Sequence, residues 1–382
     1  MRNKGQNARP DQITVGNLLR MPVYVARGLK YHAAGCLYTP KPLQVIFCVT
    51  RRCDSRCVMC SDWRVQGGVK ELTLSEMEKV LGDALFDSVK KLSLSGGEPT
   101  LREDMVEIAD IVLRSLPRLQ EILLLTNGLN PDLVTAQVRG LQSLPNWEDL
   151  DRFSVSVSLD GLEGTHELIR RVPQAFERVD ETIRRLQELS RASPFYISLV
   201  CVVQPLNLTN MIQVSDYARE HGLPLTFVPV CLSDGFVPDA AGKKALSFDD
   251  EQLRYLRALF ENELKSRLNP SNLPCWREYF RIVGGGMRTV PCQLLRHVVG
   301  LDADGTLYLC DTDDSLTYGS ALESSPSALW YSREAEEVRR RAERNTCPKC
   351  SMCCDTAFAF AHEFFYYAGF LLKEKGRKLV GR

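Results

Sequence analysis

Cys53, Cys57 and Cys60 form a Cys-x3-Cys-x2-Cys run inside Thr50-Arg51-Arg52-Cys53-Asp54-Ser55-Arg56-Cys57-Val58-Met59-Cys60. Three thiolates this close can hold three irons of a cubane cluster, and the fourth iron then has no protein ligand from the motif. An open coordination position is where a small molecule binds and reacts, as at a catalytic zinc. The alternative is a structural zinc knot, which asks for four ligands, usually as two spaced pairs. No fourth Cys or His lies close by in the chain. Cys48 falls inside the apolar segment Leu43–Val49, and the next cysteine after Cys60 is Cys201.

A second set of cysteines lies near the C-terminus: Cys292, then Gly305-x4-Cys310, then Cys347-Pro348-Lys349-Cys350, with Cys353 and Cys354 behind them. A hairpin with a ligand at each end plus a Cys-x2-Cys pair can bring four thiolates onto one iron–sulfur cubane. A zinc ribbon is the alternative on spacing alone. Either reading draws on Cys292, Cys310, Cys347 and Cys350. Cys275 is expected to be a buried thiol that behaves as a small hydrophobe.

The elements that must carry these cysteines show as strand-like segments alternating with helix-like ones. The strand candidates are Leu43–Val49, Lys91–Ser95, Glu121–Thr126, Phe153–Leu159, Tyr196–Val203 and Leu225–Val230, short and rich in Val, Ile and Leu as buried parallel strands are. Thr73-x-x-Glu76 is a capping box for the first helix. Asn130-Pro131 supplies a cap and an N1 proline for the third, and Asn207 is expected to cap the helix before Leu225. Six such units imply an α/β fold, a parallel right-handed (β/α)6 partial TIM barrel with functional residues at the C-terminal strand ends, where the first three cysteines stand.

Beyond the barrel, Ser247 is expected to cap a helix through about Lys265. Asp304-Gly305 between apolar stretches signals a hairpin, and a charged helix is expected near Ser332 to Glu343. The expected organisation is an N-terminal helical extension (1–42), the barrel (43–240), a helical connector (241–290), a small cysteine-rich α+β domain (291–355) and a C-terminal amphipathic helix (356–382).

The 382 residues carry no net formal charge, which excludes a global basic bias toward nucleic acid. Fourteen cysteines in clusters, without a signal-like apolar core in Met1 to Gly16, point to metal ligation in a reducing, cytoplasmic compartment. No apolar run reaches the roughly 18 residues of a membrane span. Val15–Leu29 and Ala357–Leu372, with basic residues within or after them, read either as helices packed on the barrel or as interfacial helices giving peripheral contact at the inner membrane face.

Further motifs follow the strands in order. Ser95-Gly96-Gly97-Glu98-Pro99 comes after the second; its glycines allow close backbone approach to a ligand, and Glu98 can accept hydrogen bonds from an ammonium. Thr126-Asn127-Gly128 follows the third, Ser158-Leu159-Asp160-Gly161 the fourth, and His166-Glu167-Leu168-Ile169-Arg170 lies downstream. Together with the cysteine loop these resemble, over about residues 43–235, the radical S-adenosylmethionine (radical SAM) superfamily. The C-terminal cysteines and Leu329-Trp330-Tyr331-Ser332 resemble the SPASM and twitch auxiliary-cluster domains. The resemblance implies S-adenosyl-L-methionine (AdoMet) on a [4Fe-4S] cluster at Cys53, Cys57 and Cys60. It also implies that Gly96, Gly97, Glu98 and Pro99 hold the methionine amino group, that Asn127, Ser158 and Asp160 lie at the cofactor, that Arg170 pairs with the methionine carboxylate, and that Phe227 and Val228 pack on adenine. A full SPASM domain holds two clusters and needs more cysteines than follow Cys350 here, so the resemblance implies one auxiliary [4Fe-4S] cluster on Cys292, Cys310, Cys347 and Cys350, with Cys354 as first substitute and Cys353 as second.

The activity so implied is reductive cleavage of AdoMet to a 5′-deoxyadenosyl radical, which takes hydrogen from an unactivated carbon of a natural-product, sugar, peptide or lipid substrate. Oxidation, with the auxiliary cluster as electron acceptor, and epimerisation are the expected outcomes. Cys231, just after the sixth strand, is the candidate hydrogen donor for epimerisation or else a structural thiol. A membrane-associated lipid or polyprenyl substrate and ribosomal-peptide maturation with a separate recognition protein are the alternatives. A non-enzymatic iron–sulfur carrier would have no need of a methionine site. A flavodoxin or ferredoxin is the expected one-electron donor.

Overall fold

The computed structural model describes residues 39–65, 68, 70–265, 267, 273–289 and 292–352. The two terminal segments read as interfacial helices, and Cys353 and Cys354, lie outside the described residues.

Six strands follow the expected segments closely: β1 (Gln44–Thr50), β2 (Lys91–Gly96), β3 (Glu121–Thr126), β4 (Arg152–Ser158), β5 (Tyr196–Val203) and β6 (Leu225–Pro229). Each pairs in parallel with the next. The helices α1 (Leu74–Leu81), α2 (Met105–Ser115), α3 (Pro131–Gln142), α4 (Gly164–Arg170), α5 (Ala175–Ala192) and α6 (Met211–Glu220) fill the crossovers and cover the outer face. On α5, Val179, Thr182, Ile183 and Leu186 recur at the 3.6-residue period and are buried, while Arg184 and Arg185 pair along the outer face with Asp180 and Glu181.

The capping signals at Thr73 and Asn130 act as expected. The Thr73 side chain accepts from the Glu76 amide while Glu76 reaches back to the Thr73 amide, and Asn130 Oδ1 accepts from the Leu133 amide. Asn207 and Ser247 do not. Asn207 is buried in a 3-10 turn, and its amide nitrogen donates to the carbonyls of Asp160 and Val202 at 2.8 and 2.9 Å. It ties the ends of β4 and β5 together instead of capping α6. Ser247 ends a short helix, α7 (Ala240–Leu246), by donating to the Lys243 carbonyl; the next helix, α8 (Asp250–Leu259), takes its capping box from Asp249 and Gln252. An aspartate two residues on outcompetes the serine because its carboxylate also complements the helix dipole. A further helix, α9 (Leu273–Val283), brings Trp276, Tyr279 and Phe280 onto the barrel, with Cys275 buried beside them.

The C-terminal strands are not a separate sheet. β7 (Val298–Leu301) pairs in parallel with β1, and β8 (Thr306–Tyr308) and β9 (Thr317–Ser320) continue antiparallel from it, so the described strands form one sheet in the order β6-β5-β4-β3-β2-β1-β7-β8-β9. The β7–β8 turn carries Gly305 at φ 90°, in line with its Asp-Gly signal. Two helices, α10 (Pro326–Trp330) and α11 (Arg333–Arg341), pack against β9, and α10 also meets the turn that leads into β2. There Trp330 Nε1 donates to the Pro40 carbonyl at 3.0 Å and the Arg339 guanidinium stacks on the Trp330 ring. No helix among the described residues is long and apolar enough to cross a membrane.

Candidate active site

The cysteine loop leaves β1 and is held from four directions. From β2, the amides of Gly97 and Glu98 donate to the carbonyls of Thr50 and Arg52, both at 2.8 Å. A Cβ at Gly96 would collide with the Thr50 carbonyl, and one at Gly97 with the Arg52 carbonyl; Gly96 also sits at φ 115°. The two glycines are thus required by the approach of the protein's own chain. From β3, Asn127 Nδ2 donates to Asp54 Oδ1 at 2.6 Å and lies 3.8 Å from Cys53 Sγ.

From α4 the link is through backbone groups that the helix cannot satisfy. The last carbonyls of a helix have no internal partner. Here the Ile169 carbonyl accepts from the Val58 amide at 3.0 Å, and the Arg170 carbonyl from the Arg56 amide and the Ser55 hydroxyl, both at 3.1 Å. Arg171, left-handed at φ 55°, ends the helix so that these carbonyls face the loop. From the hairpin, Asp302 receives the Arg51 guanidinium through two hydrogen bonds, 2.9 Å from Nε and 2.5 Å from Nη2, while Nη1 binds Asp62.

Glu98 is fully enclosed. Oε1 accepts from the Thr100 amide, Thr100 Oγ1 and Thr126 Oγ1, and Oε2 from the Asn127 amide at 2.6 Å. Burial raises its pKa against the pull of these donors. Its side chain fastens the ends of β2 and β3, which leaves the expected ammonium contact to other groups of the Gly96–Pro99 turn. Arg170 is also committed: Nη2 pairs with Asp160 Oδ2 at 2.6 Å and Nη1 lies 3.5 Å from Cys57 Sγ. Burial would lower the Arg170 pKa, but Asp160 and Cys57 outweigh it and the pKa is raised. The geometry thus sets its guanidinium under the cysteine loop, in place of the free carboxylate partner expected. Ser158 ends β4 half-buried, and Asp160 is wholly buried.

Phe227 departs from expectation. Strand residues alternate between faces, and Phe227 lies in the outer core at 1 % exposure. Val228 is the residue turned inward, opposite Val202, which packs with Val230 against Cys57 and Met59.

Cys57 is buried, and Cys53 and Cys60 are half-buried. Burial pushes the thiols of Cys53 and Cys60 up to about 12, so metal binding there must displace protons. Cys292, Cys310, Cys347 and Cys350 line one pocket with Leu294, Leu309, Leu316 and Arg288. A hydrogen bond from Cys347 holds the Cys292 thiol below its usual range, with the Arg288 charge adding to the effect. A single-ion site asks its ligands to converge on one point, and among the described residues no group of three His, Cys, Asp or Glu does so. A cubane asks for less convergence, because each thiolate takes its own iron. Buried thiols on a tied loop beside a cation, and four thiols around one apolar pocket, both fit that donor chemistry.

The two cysteine sets adjoin. Ser61 Oγ donates to the Gly235 carbonyl at 2.9 Å, and a Cβ on Gly235 would strike the carbonyl of Asp311, the residue after Cys310. Asp311, which the motifs did not single out, is exposed in this crevice. Although the residue as a whole is exposed, its carboxyl is turned into the fold beside Tyr308 and Arg51, and burial there pushes it up to about 6 against the pull of Arg51 and the Tyr308 hydrogen bond. Cys231, half-buried 3.2 Å from Ser233 Oγ, lies at the start of the same post-β6 segment, and burial raises its pKa.

The fold and these two cysteine sites define an iron–sulfur enzyme of the partial-barrel type. Residues 47–218 match the radical SAM superfamily and residues 292–354 match SPASM, an iron–sulfur cluster-binding domain. The chain belongs to the radical SAM superfamily, with AdoMet and iron–sulfur clusters as its cofactors and a C-terminal SPASM domain. It is 28 % identical over 226 residues to a probable GTP 3′,8-cyclase of Methanopyrus kandleri, covering 58 % of this chain and 68 % of that protein. It is 29 % identical over 257 residues to the AdoMet-dependent heme synthase of Methanosarcina barkeri, covering 64 % and 65 %. Other such cyclases match over about half their length. Among solved structures, Streptococcus suis SuiB bound to S-adenosylmethionine aligns with a TM-score of 0.56 at 15 % identity, covering 90 % of this chain and 78 % of that one; this likeness is one of fold.

Proposed function

We propose that the enzyme oxidises its substrate by two electrons, with Cys53, Cys57 and Cys60 holding the AdoMet cluster and Cys292, Cys310, Cys347 and Cys350 one auxiliary cluster. When bound, AdoMet and its cluster supply a 5′-deoxyadenosyl radical for hydrogen-atom abstraction, and the auxiliary cluster supplies a one-electron acceptor. The residues do the rest. The Gly96–Pro99 turn, Asn127 and Ser158 shape the cofactor side of the crevice, Asp160 is buried beneath it and holds Arg170 instead of reaching the cofactor, and Val228 supplies an apolar wall. Asp311 accepts the proton that the substrate must lose along with its second electron; a carboxyl near 6 is ionised at neutral pH yet basic enough for that work.

The observation that carries this reading is the gathering of the four C-terminal cysteines around one pocket beside the cysteine loop. The test is iron and sulfide per chain after anaerobic reconstitution, for wild type and a Cys53/Cys57/Cys60 triple-Ala variant. About eight irons falling to about four supports two cubanes. About four falling to none removes the auxiliary cluster and the oxidation with it.

Epimerisation is the second reading, favoured by a raised Cys231 pKa that keeps a hydrogen on its sulfur in the same crevice. Cys231→Ala then abolishes solvent-deuterium incorporation into product; unchanged incorporation rules the thiol out as donor. The substrate does not transfer from relatives of such modest identity, because one fold hosts many reactions.

A further inference from the structure

Beneath the cysteine loop lies a charged pair whose bonding is incomplete. Arg170 and Asp160 are both buried and 2.6 Å apart. Asp160 is fixed on its other sides: Oδ1 accepts from the Val202 amide at 2.8 Å, and its own amide donates to His166 Nδ1 at 3.1 Å. The carbonyls of Ile169 and Arg170 clamp the loop, so Cys57 cannot withdraw from the guanidinium that sits 3.5 Å from its sulfur. A purely structural buried ion pair has its remaining donors satisfied by protein. Here Arg170 Nε, His166 Nε2 and Gln204 Oε1 are buried without partners in the same neighbourhood.

We propose that Arg170 is a positioning residue that sets the reduction potential of the N-terminal cluster through its contact with Cys57, with Asp160 holding it there and offsetting part of its charge. The inference rests on Cys53, Cys57 and Cys60 being the ligands of that cluster. One-electron reduction adds negative charge that spreads onto the thiolate sulfurs. A permanently charged N–H donor at one sulfur, in a low-dielectric site, stabilises the reduced form and raises the potential. The Asp160 carboxylate acts in the opposite sense. Replacing the two residues therefore moves the potential in opposite directions, an outcome that mere loosening of the fold does not produce.

The test is an anaerobic redox titration followed by electron paramagnetic resonance on the full-length reconstituted protein, for wild type, Arg170→Gln, Arg170→Lys and Asp160→Asn. The N-terminal signal is the one lost in the Cys53/Cys57/Cys60 triple-Ala variant, and the other signal serves as internal control. At the wild-type midpoint, Arg170→Gln is expected to lower the reduced-to-oxidised ratio about tenfold, about 59 mV for one electron. Arg170→Lys lowers it less, Asp160→Asn raises it, and the control stays put. Midpoints that do not move, or that move the same way in the Gln and Asn variants, overturn the proposal. If no Arg170 variant takes up the cluster, Asp160→Asn decides alone: a rise supports the proposal, and no change or a fall overturns it. A triple-Ala variant that keeps all its iron refutes the ligand assignment, a failure distinct from unmoved midpoints in loaded protein.

Discussion

Glu98 shows how a motif residue can serve a site by fastening it. One carboxylate takes hydrogen bonds from Thr100, Thr126 and Asn127, closing the gap between two parallel strands where no ladder bond can reach. Removing the acceptor leaves several buried donors unsatisfied, at about 1–3 kcal/mol each. Glu98→Ala is accordingly expected to lose about 3 kcal/mol or more, read as a lower denaturant midpoint, with Glu98→Gln losing less. Asp311 gives a pH-dependent prediction. Its folded pKa, near 6, lies above the ordinary 3.8, so between about pH 4 and 6 the native state holds a proton that the unfolded chain has released. The sign follows: stability from this group falls as pH rises between about 4 and 6, and the ionised carboxylate is a cost above that window. Asp311→Asn removes the cost, so its thermal midpoint should exceed that of wild type by more at pH 7 than at pH 5.

At the scale of elements, the cysteine loop is shaped by strand and helix ends. The turn after β2 grips its start at Thr50 and Arg52, the last carbonyls of α4 grip it further on at Arg56 and Val58, and the first grip works only because Gly96 and Gly97 have no Cβ. Gly97→Ala pushes the side-chain methyl against the Arg52 carbonyl and must shift the loop. The expected result is loss of about half the iron, that of the N-terminal site, while the C-terminal site stays loaded; metal analysis beside the triple-Ala variant checks it. Full loading would mean that the loop adapts to the extra methyl.

At the scale of the whole molecule, β7 joins the barrel sheet beside β1, so the hairpin that carries Cys310 leaves the same sheet as the loop that carries Cys53. Arg51 bridges the two by binding Asp302 on the hairpin and Asp62 beyond the loop. Arg51→Ala leaves two carboxylates close together near the buried Cys48 without their cation. It is expected to cost about 2 kcal/mol and to lower hydrogen-exchange protection in β7 and β8; Arg51→Lys recovers only part of this, because an ammonium lacks the planar fork.

The sequence by itself determined the six barrel strands, the hairpin at Asp304-Gly305, the cluster chemistry of the cysteine runs and the order of motifs along the barrel. These depend on local apolar period, turn chemistry and spacing, which the chain states directly. It also named the four C-terminal cysteines that meet around one pocket. Tertiary structure decided what depends on partners far apart in sequence: Phe227 outside and Val228 inside, Arg170 on Asp160 and Cys57, Glu98 on Thr126 and Asn127, Asp311 in the crevice, and β7 against β1. A side chain's role is set by whichever group meets it in the fold. Glu98 and Arg170 carry the charges the motifs suggested, but apart from Thr100 beside Glu98 their partners are distant in the chain: Thr126 and Asn127 lie 28 and 29 residues from Glu98, and Cys57 lies 113 from Arg170. No periodicity or spacing rule reports such a meeting, because it follows from how the strands stack side by side.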